Sequence, residues 1–204
     1  MRSREEPRRR DAARAGGAER RARRARAKRV VRIAHRAGGI RTVRFFYDCE
    51  FIEDGRTIDL VSIGMVDETG HEFYAVSTEF DGSRAITWVR RNVLSQLPPP
   101  ADPVWRSREQ IRADLLAFMT AAGEQIELWA WMAAYDHVAL VQLWGDMRAL
   151  PRHVPRFTHE LRQRWEDAGC PVLPEPPDDQ HDALVDARHN LVRWRAIQGM
   201  TLPG

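Results

Sequence analysis

The stretch FFYDCEFIEDG, residues 45–55, decides the fold class of this sequence. Its aromatic residues predict a β-strand over residues 43–51, and Asp54-Gly55 predicts a tight hairpin turn directly after it. Two further strand patterns follow at residues 57–67 and 71–77. The chain is therefore expected to open with three antiparallel strands joined by short turns.

The same stretch holds two acids, Asp48 and Glu50, one residue apart within the predicted strand. Strand side chains alternate between faces, so both acids point to one side and Cys49 points to the other. Neighbouring carboxylates repel each other and resist desolvation, so the pair predicts a hard cation such as Mg²⁺, which prefers oxygen ligands. The competing interpretation is an exposed strand face with incidental acids.

Helical patterns alternate with short apolar segments in the rest of the chain. We expect helices at residues 84–95, 107–121, 134–144, 158–168 and 183–198, and strands at 126–132 and 154–157. Ser107, Thr158 and Asp182 are the expected N-caps of three of these helices. Hairpin-linked strands followed by strand–helix alternation indicate an α/β fold. Its sheet is expected to be mixed and five-stranded, with three antiparallel strands and then two parallel ones, flanked by helices.

Charge is distributed unevenly along the 204 residues. Residues 1–42 carry sixteen Arg or Lys against four acids, whereas residues 43–204 carry sixteen against twenty-five. The Arg- and Ala-rich part has too little apolar surface to offset its ordering entropy, so we expect a disordered extension at 1–42 and one folded domain at 43–204. A start codon placed too far upstream is the favoured explanation of the extension, with a basic nucleic-acid-binding arm and a targeting peptide as alternatives.

Composition also indicates the cellular compartment of the protein. Its two cysteines, Cys49 and Cys170, are far apart and lack a metal-binding spacing, which fits a reduced cytoplasm. The charged N-terminal segment lacks the apolar core of a secretory signal, and no apolar run is long enough to span a bilayer. A cytoplasmic protein without a membrane partner is predicted.

Two later segments add candidate site residues. Asp136 lies in the first turn of a predicted helix, where the helix dipole favours an acid and where α/β sheets build their binding crevices. In the segment HDALVDARHN, Asp182 is the expected N-cap, so His181 lies in the entering loop and can turn back towards Asp186. A capped surface helix with an incidental histidine is the competing interpretation of that segment.

Taken together, these acids and this histidine resemble, in their order, the three exonuclease motifs of the DEDDh 3′→5′ exonuclease superfamily. That superfamily includes oligoribonuclease, ribonuclease T and the proofreading exonucleases, and its fold is ribonuclease-H-like. The residues concerned are Asp48, Glu50, Asp136, His181 and Asp186.

The segments FFYDCEFIEDGRTIDLVSIG, LWAWMAAYDHVAL and PRFTHELRQRWED resemble more specifically the actinobacterial polyadenylate-specific 3′-exoribonucleases of the AS type. This resemblance covers about residues 43–197 and leaves the basic extension unmatched. Many members of the wider superfamily carry His-Asn where this chain has Trp131-Met132, and methionine lacks the hydrogen-bonding capacity of asparagine. Substrate contacts at that point therefore do not transfer from the proofreading enzymes.

The resemblance implies a two-metal mechanism. Asp48, Glu50, Asp136 and Asp186 would bind two Mg²⁺ ions about 4 Å apart, with Mn²⁺ as a substitute, and His181 would act as general base. The substrate would be the 3′ end of single-stranded RNA, with a preference for adenylate-rich tails or overhangs and release of nucleoside 5′-monophosphates. The resemblance further implies a homodimer.

Two aromatic residues near the acids are candidates for stacking against the terminal base or sugar. Phe51 directly follows Glu50, and Trp131 lies near the end of a predicted strand; core packing is the alternative for each. His181 is also expected to contact substrate. A DNA 3′-5′ proofreading-type exonuclease and a catalytically silent RNA-binding module are the rival functions, the first distinguished by the 2′-hydroxyl and the second by a lost metal ligand.

Overall fold

The aromatic and β-branched runs of residues 42–77 form the antiparallel meander that their pattern predicts. In the computed structural model, which describes residues 42–121 and 125–199, this meander is part of one mixed sheet with the order β4-β3-β2-β1-β5-β6. The strands are β1 (Thr42–Glu53), β2 (Ile58–Asp67), β3 (Glu72–Ser77), β4 (Trp105–Arg106), β5 (Gln125–Ala130) and β6 (His159–Glu160).

The helices lie between and after these strands. They are α1 (Thr87–Asn92), α2 (Arg108–Thr120), α3 (Ala134–Gln142), α4 (Leu161–Asp167) and α5 (Ala183–Ile197). Ser107 caps α2 in a reciprocal capping box with Gln110, as a serine at that position predicts. Within the described residues, none of these helices has the length and apolar character needed to cross a bilayer.

The α/β class and the mixed sheet are confirmed, but the predicted number of five strands is wrong. The additional strand is β4, for which no strand was predicted; it pairs with β3 in parallel orientation, and the Val76 N–H donates to the Val104 carbonyl at 2.9 Å. The strand predicted at residues 154–157 is also wrong, because the short strand β6 begins only at His159.

Two helix predictions need correction as well. The helix expected at 84–95 is reduced to α1, with separate 3₁₀ turns at Gly82–Arg84 and Leu94–Gln96. The helix expected at 158–168 begins at Leu161, and its N-cap is Glu160 rather than Thr158. The hydroxyl of Thr158 is instead held by Tyr47 at 2.6 Å, so it does not cap a helix.

The predicted extension at residues 1–42 lies outside the described residues except for Thr42, which is the first residue of β1. This strand is central, since it pairs with β2 in antiparallel and with β5 in parallel orientation. The pairing with β5 covers Thr42–Phe46 and the pairing with β2 covers Phe45–Glu53. The two faces of β1 contact different helix layers.

Alternation along β1 sorts its side chains between two apolar clusters. Phe45 and Tyr47 belong to the larger cluster, which includes Leu115 of α2, whereas Phe46 packs with Trp194 of α5 on the other face. Side chains two residues apart on a strand share a face. The acids at positions 48 and 50 therefore follow Phe46 on the face that α5 covers.

A glycine allows α5 to approach this face closely. Gly64 of β2 is paired with Asp48 of β1, and a Cβ built at Gly64 would lie only 2.3 Å from the Ala183 carbonyl oxygen. Any larger residue would force the backbone of the helix away from the sheet. Gly64 thus sets the distance between β1 and the first turn of α5.

Candidate active site

One pocket of about 340 Å³ beside β1 brings the sequence-predicted site residues together. The predicted residues that line it are Asp48, Glu50, Phe51, Trp131, Asp136, His181 and Asp186. Residues that the sequence analysis did not single out complete the lining, among them Tyr135, Gln180 and Arg193. The segments that carry these side chains are distant in sequence and meet at the sheet centre.

The acid pair of β1 is half-buried and electrostatically strained. Burial, reinforced by the neighbouring carboxylates Asp136, Glu50 and Asp186, raises the pKa of Asp48 well above its ordinary range. Burial and then Asp186 and Asp136 raise the pKa of Glu50 to about 8. The pairing register of β1 with β2 shifts between Glu50 and Phe51, and such bulges redirect side chains beside active sites. The pair is unfavourable as two anions unless a cation is present.

Asp136 is the most buried of the four acids, with 5% of its surface exposed. Its Oδ1 accepts a hydrogen bond from the Cys49 N–H at 2.8 Å, which ties the first turn of α3 to β1. Burial raises the pKa of Asp136 to about 7, although this N–H donor opposes the shift. The carboxylate is therefore held against β1 at Cys49, the residue between the two acids of that strand.

A carboxylate that the sequence analysis missed holds that loop. Glu160 accepts hydrogen bonds from the Met132 N–H at 2.8 Å and the Ala133 N–H at 2.7 Å, and it also caps α4. Met132 has a φ of 61°, in the left-handed region that side chains rarely adopt. The contacts with Glu160 stabilise this turn, which leads directly into the helix that carries Asp136.

The start of α5 supplies the remaining predicted residues. Asp182 caps the helix by accepting from the N–H groups of Leu184 and Val185, as its position predicts. His181 has a φ of 71°, and its N–H donates to Asp186 Oδ2 at 2.7 Å. Burial raises the pKa of Asp186, against the effect of this hydrogen bond. The reversal of the chain before the cap brings the imidazole and the carboxylate to the same side.

An aromatic side chain of α1 contacts the same imidazole. The rings of Trp88 and His181 meet edge to face, with centroids 4.8 Å apart. The Gln96 amide also donates to the Gln180 carbonyl at 2.8 Å, so the segment around α1 supports the loop before α5. The histidine is thereby held from its backbone and from its ring.

Glu50, His181 and Asp186 can serve as a metal-binding group, since one ligand atom of each lies within 4.8 Å of the others. Asp48 and Asp136 line the same pocket. Carboxylate oxygens are the ligands that Mg²⁺ and Mn²⁺ take in proteins. Burial, together with repulsion between neighbouring carboxylates, raises the pKa of Asp48, Glu50 and Asp136, and a divalent cation would offset both effects. These residues therefore fit a metal site.

The two predicted stacking residues have protein partners of their own. The ring of Phe51 stacks on Tyr135 with centroids 5.7 Å apart, and Tyr135 is 49% exposed. Guanidinium groups lie over the Trp131 ring, that of Arg193 at 4.5 Å and that of Arg162 at 5.9 Å. These contacts favour packing as the role of Trp131 and leave the pair Phe51–Tyr135 as the aromatic surface of the pocket.

Four carboxylates and a histidine gathered in one pocket of an α/β sheet define a class of protein. Enzymes that act on phosphate esters commonly bind divalent metals in acid-rich pockets of this composition. Residues 43–198 match the family model described as the 3′-5′ exoribonuclease Rv2179c-like domain. The chain belongs to this family.

Two relatives and one solved structure extend the comparison. The 3′-5′ exoribonucleases MT2234.1 and Rv2179c, from the CDC 1551 / Oshkosh and H37Rv strains of Mycobacterium tuberculosis, are each 65% identical over 156 residues, which is 76% of this chain and 93% of theirs. The crystal structure of cell-death related nuclease 4 is 9% identical, with a TM-score of 0.43, over 77% of this chain and 64% of that one.

Proposed function

We propose that this protein is a metal-dependent 3′-5′ exoribonuclease that releases nucleoside 5′-monophosphates from the 3′ ends of single-stranded RNA. The observation that carries the proposal is the meeting of four acids and His181 in one pocket of a chain from a 3′-5′ exoribonuclease family. The two Mycobacterium tuberculosis relatives, named 3′-5′ exoribonucleases, support the same activity.

Asp48, Glu50, Asp136 and Asp186 would hold two Mg²⁺ ions, or Mn²⁺ in their place. When bound, such ions lower the pKa of a coordinated water and stabilise the leaving 3′-oxygen. The N–H groups of Cys49 and His181 keep the carboxylates of Asp136 and Asp186 in fixed orientations. These carboxylates therefore need little reorganisation when they bind a cation and the phosphodiester.

His181 would remove a proton from the attacking water through its imidazole. Its ring lies against Trp88, and its backbone is fixed by Asp186, so the imidazole is held at the wall of the pocket. This histidine also lies where it could contact the terminal nucleotide.

The terminal base would stack on the surface formed by Phe51 and Tyr135. Stacking of this kind tolerates any base, so a preference for adenylate would arise from contacts at the base edge. The adenylate preference, the homodimer and the ribonuclease-H-like classification are predictions from the family resemblance. Competition between oligo(A), oligo(U) and oligo(C) of equal length would measure the first of these.

Parallel digestion of single-stranded oligo(A) RNA and its DNA counterpart tests the proposal. With Mg²⁺ we expect the oligo(A) RNA to be shortened stepwise from its 3′ end with release of AMP, and in EDTA we expect no digestion. A 3′-terminal block should protect the RNA, whereas a 5′ label should remain on shortened products. Faster digestion of DNA than of RNA, or digestion that persists in EDTA, would refute the assignment.

Asp48→Asn tests the role of the acids within the same assay. It removes one charge at almost constant volume, so the fold should be retained while kcat/KM falls by at least about 10³-fold, in the range seen when catalytic groups are removed. Thermal unfolding would verify the fold. Asp114→Asn, a change at an exposed acid of α2 outside the pocket, is the matched control and should leave kcat/KM unchanged.

A further inference from the structure

Arg193 is the one arginine among the described residues that line the acid pocket. It lies seven residues after Asp186 on α5, and Asn190 lies between them, so helical spacing places the three on one face. Burial raises the pKa of Asp48 and of Asp186, and the positive charge of Arg193 opposes that rise in both. A cation thus lies at the edge of the acid cluster.

This guanidinium is close to the acids but is not paired with them. Within residues 42–121 and 125–199, eight other arginines form ion pairs with carboxylates, whereas Arg193 forms none. It makes one hydrogen bond to a described residue, from Nη1 to Asn190 Oδ1 at 3.0 Å. A guanidinium has five N–H donors, so most of its donors remain for another partner.

Two contacts hold the guanidinium in this position. Asn190 is fully buried, and its Nδ2 donates to the Tyr47 carbonyl at 3.0 Å, directly before Asp48 on β1. Its Oδ1 is therefore oriented towards Arg193. On the other side, the guanidinium carbon lies 4.5 Å from the centroid of the Trp131 ring, a favourable cation–π distance. The side chain loses little further entropy when it binds an anion.

We propose that Arg193 binds the phosphate of the nucleotide at the RNA 3′ end, through its non-bridging oxygens. The planar fork of a guanidinium matches two phosphate oxygens, and such charge-assisted contacts are strong. The inference rests on the proposed function and adds a residue that binds the substrate's phosphate independently of the metal ligands. The four acids alone repel a polyanion, and a fixed cation at their edge provides an attractive contact.

Binding of AMP and adenosine, each measured by calorimetry in Mg²⁺, tests this inference because the two ligands differ only by the phosphate. The variants are Arg193→Gln, which removes the charge, and Arg193→Lys, which keeps the charge without the fork. We expect Arg193→Gln to weaken AMP binding by about 10- to 100-fold, the equivalent of one charged hydrogen-bonding contact, with adenosine unchanged. Arg193→Lys should recover part of the loss.

Arg162→Gln is the matched control, since Arg162 also lies over Trp131 but does not line the pocket. This variant should bind AMP as the wild type does. In binding to oligo(A), Arg193→Gln should also reduce the slope of the logarithm of the binding constant against the logarithm of salt concentration. The reduction should correspond to the loss of about one phosphate contact, which a purely structural role would not produce.

Equal AMP affinity in Arg193→Gln and wild type would overturn the inference, as would equal losses for AMP and adenosine or wild-type protein that binds AMP no better than adenosine. The result is separable from the proposed function. A wild type that prefers AMP through Arg193 but does not shorten RNA would refute the exoribonuclease and retain the phosphate site. RNA digestion with unchanged AMP binding in Arg193→Gln would do the opposite.

Discussion

The starts of α3 and α5 both deliver an acid to the pocket beside β1, but they are held in different ways. At α3 the support is polar, since Asp136 accepts from Cys49 and the preceding loop donates to Glu160. At α5 a steric contact is added to the hydrogen bond from Asn190 to the Tyr47 carbonyl, because Gly64 lets the helix backbone touch the sheet. The acids that hold the start of α3 can be replaced by amides of almost the same volume. At Gly64, by contrast, there is no room for even one additional methyl group.

The largest expected effect would show whether the acids at the starts of α3 and α5 belong to one catalytic site. Asp136→Asn and Asp186→Asn should each lower kcat/KM for oligo(A) by about 10³-fold or more, because both carboxylates would hold Mg²⁺. The amide oxygen of asparagine can still accept the N–H bonds from Cys49 and His181, so the fold is kept. Steady-state kinetics at saturating Mg²⁺ would measure this, and wild-type turnover in either variant would separate that end from the site.

Unfolding of the same two variants without metal sharpens the comparison. Burial raises the pKa of both acids, so each anion destabilises the metal-free protein at pH 8. We expect both variants to unfold at a higher temperature than the wild type in EDTA, and Asp136→Asn to gain more because Asp136 is the more buried. A loss of stability in both would indicate that the acids are already compensated by the protein.

Gly64→Ala should break the steric support at α5. The added Cβ would meet backbone atoms of Ala183 and Leu184 at 2.3–2.4 Å, and overpacking of this kind costs about 1–3 kcal/mol. Because α5 must shift, the activity should fall together with the melting temperature. Gly82→Ala is the control, since its Cβ would meet only side-chain atoms at 3.5 Å or more and should change neither quantity greatly.

Unchanged activity in Gly64→Ala would show that the first turn of α5 can move without loss of the site. Calorimetry gives the stability change directly, and the kinetics would be measured well below the melting temperature of the variant. Equal losses in Gly64→Ala and Gly82→Ala would remove the argument that close approach is specific to the contact between β2 and α5.

Glu160→Gln should weaken the polar support at α3 more gently. One glutamine oxygen cannot accept all the N–H bonds that the two carboxylate oxygens accept from Met132, Ala133 and Arg162. At least one of these N–H groups would lose its acceptor, at a cost of about 1 kcal/mol. We expect about a tenfold loss of activity, as for residues that orient metal ligands. Glu166→Gln, at an exposed acid of α4, the helix that Glu160 caps, should change stability by less than about 0.5 kcal/mol.

The features that the sequence predicted are those with local signals. Aromatic alternation around Asp48 indicated β1, and the capping aspartate before Ala183 indicated α5. The two-residue strand β4 has no such signal, because its pairing with β3 depends on how a proline-rich loop returns to the sheet. Thr158 has the residue type of an N-cap, but its hydroxyl bonds to Tyr47, a contact across the fold that no local pattern encodes.

The same distinction applies to the pocket. Its acids could be located from the sequence because their order resembles known motifs, whereas Glu160 and Arg193 lie among other charged residues of charge-rich helices and strands. The spacing Asp186, Asn190, Arg193 on one helix face was the available signal for the arginine. It becomes informative only once Asn190 is known to be buried against β1, which is a tertiary fact.

The smallest expected effect concerns pH and tests the electrostatic strain that both helix ends share. The pKa of Glu50 rises from its ordinary 4.5 to about 8 in the folded, metal-free protein. Between these values the folded state binds more protons than the unfolded state, so the free energy of unfolding falls as pH rises from about 5 to about 8. Partial exposure screens the effect, and we expect about 1 kcal/mol from this residue.

Denaturant unfolding in EDTA at pH 5, 6.5 and 8 would measure that slope, which should be shallower in Glu50→Gln because the titrating group is gone. Glu109→Gln, at an exposed position of α2, is the control and should keep the wild-type slope. Mg²⁺ should stabilise the wild type more at pH 8 than at pH 5, since protons compete with the cation for the carboxylates. If the free energy of unfolding depends on pH equally in Glu50→Gln and in the wild type, the pH dependence arises from the other acids. Asp136, at the start of α3, would then be the next residue to test.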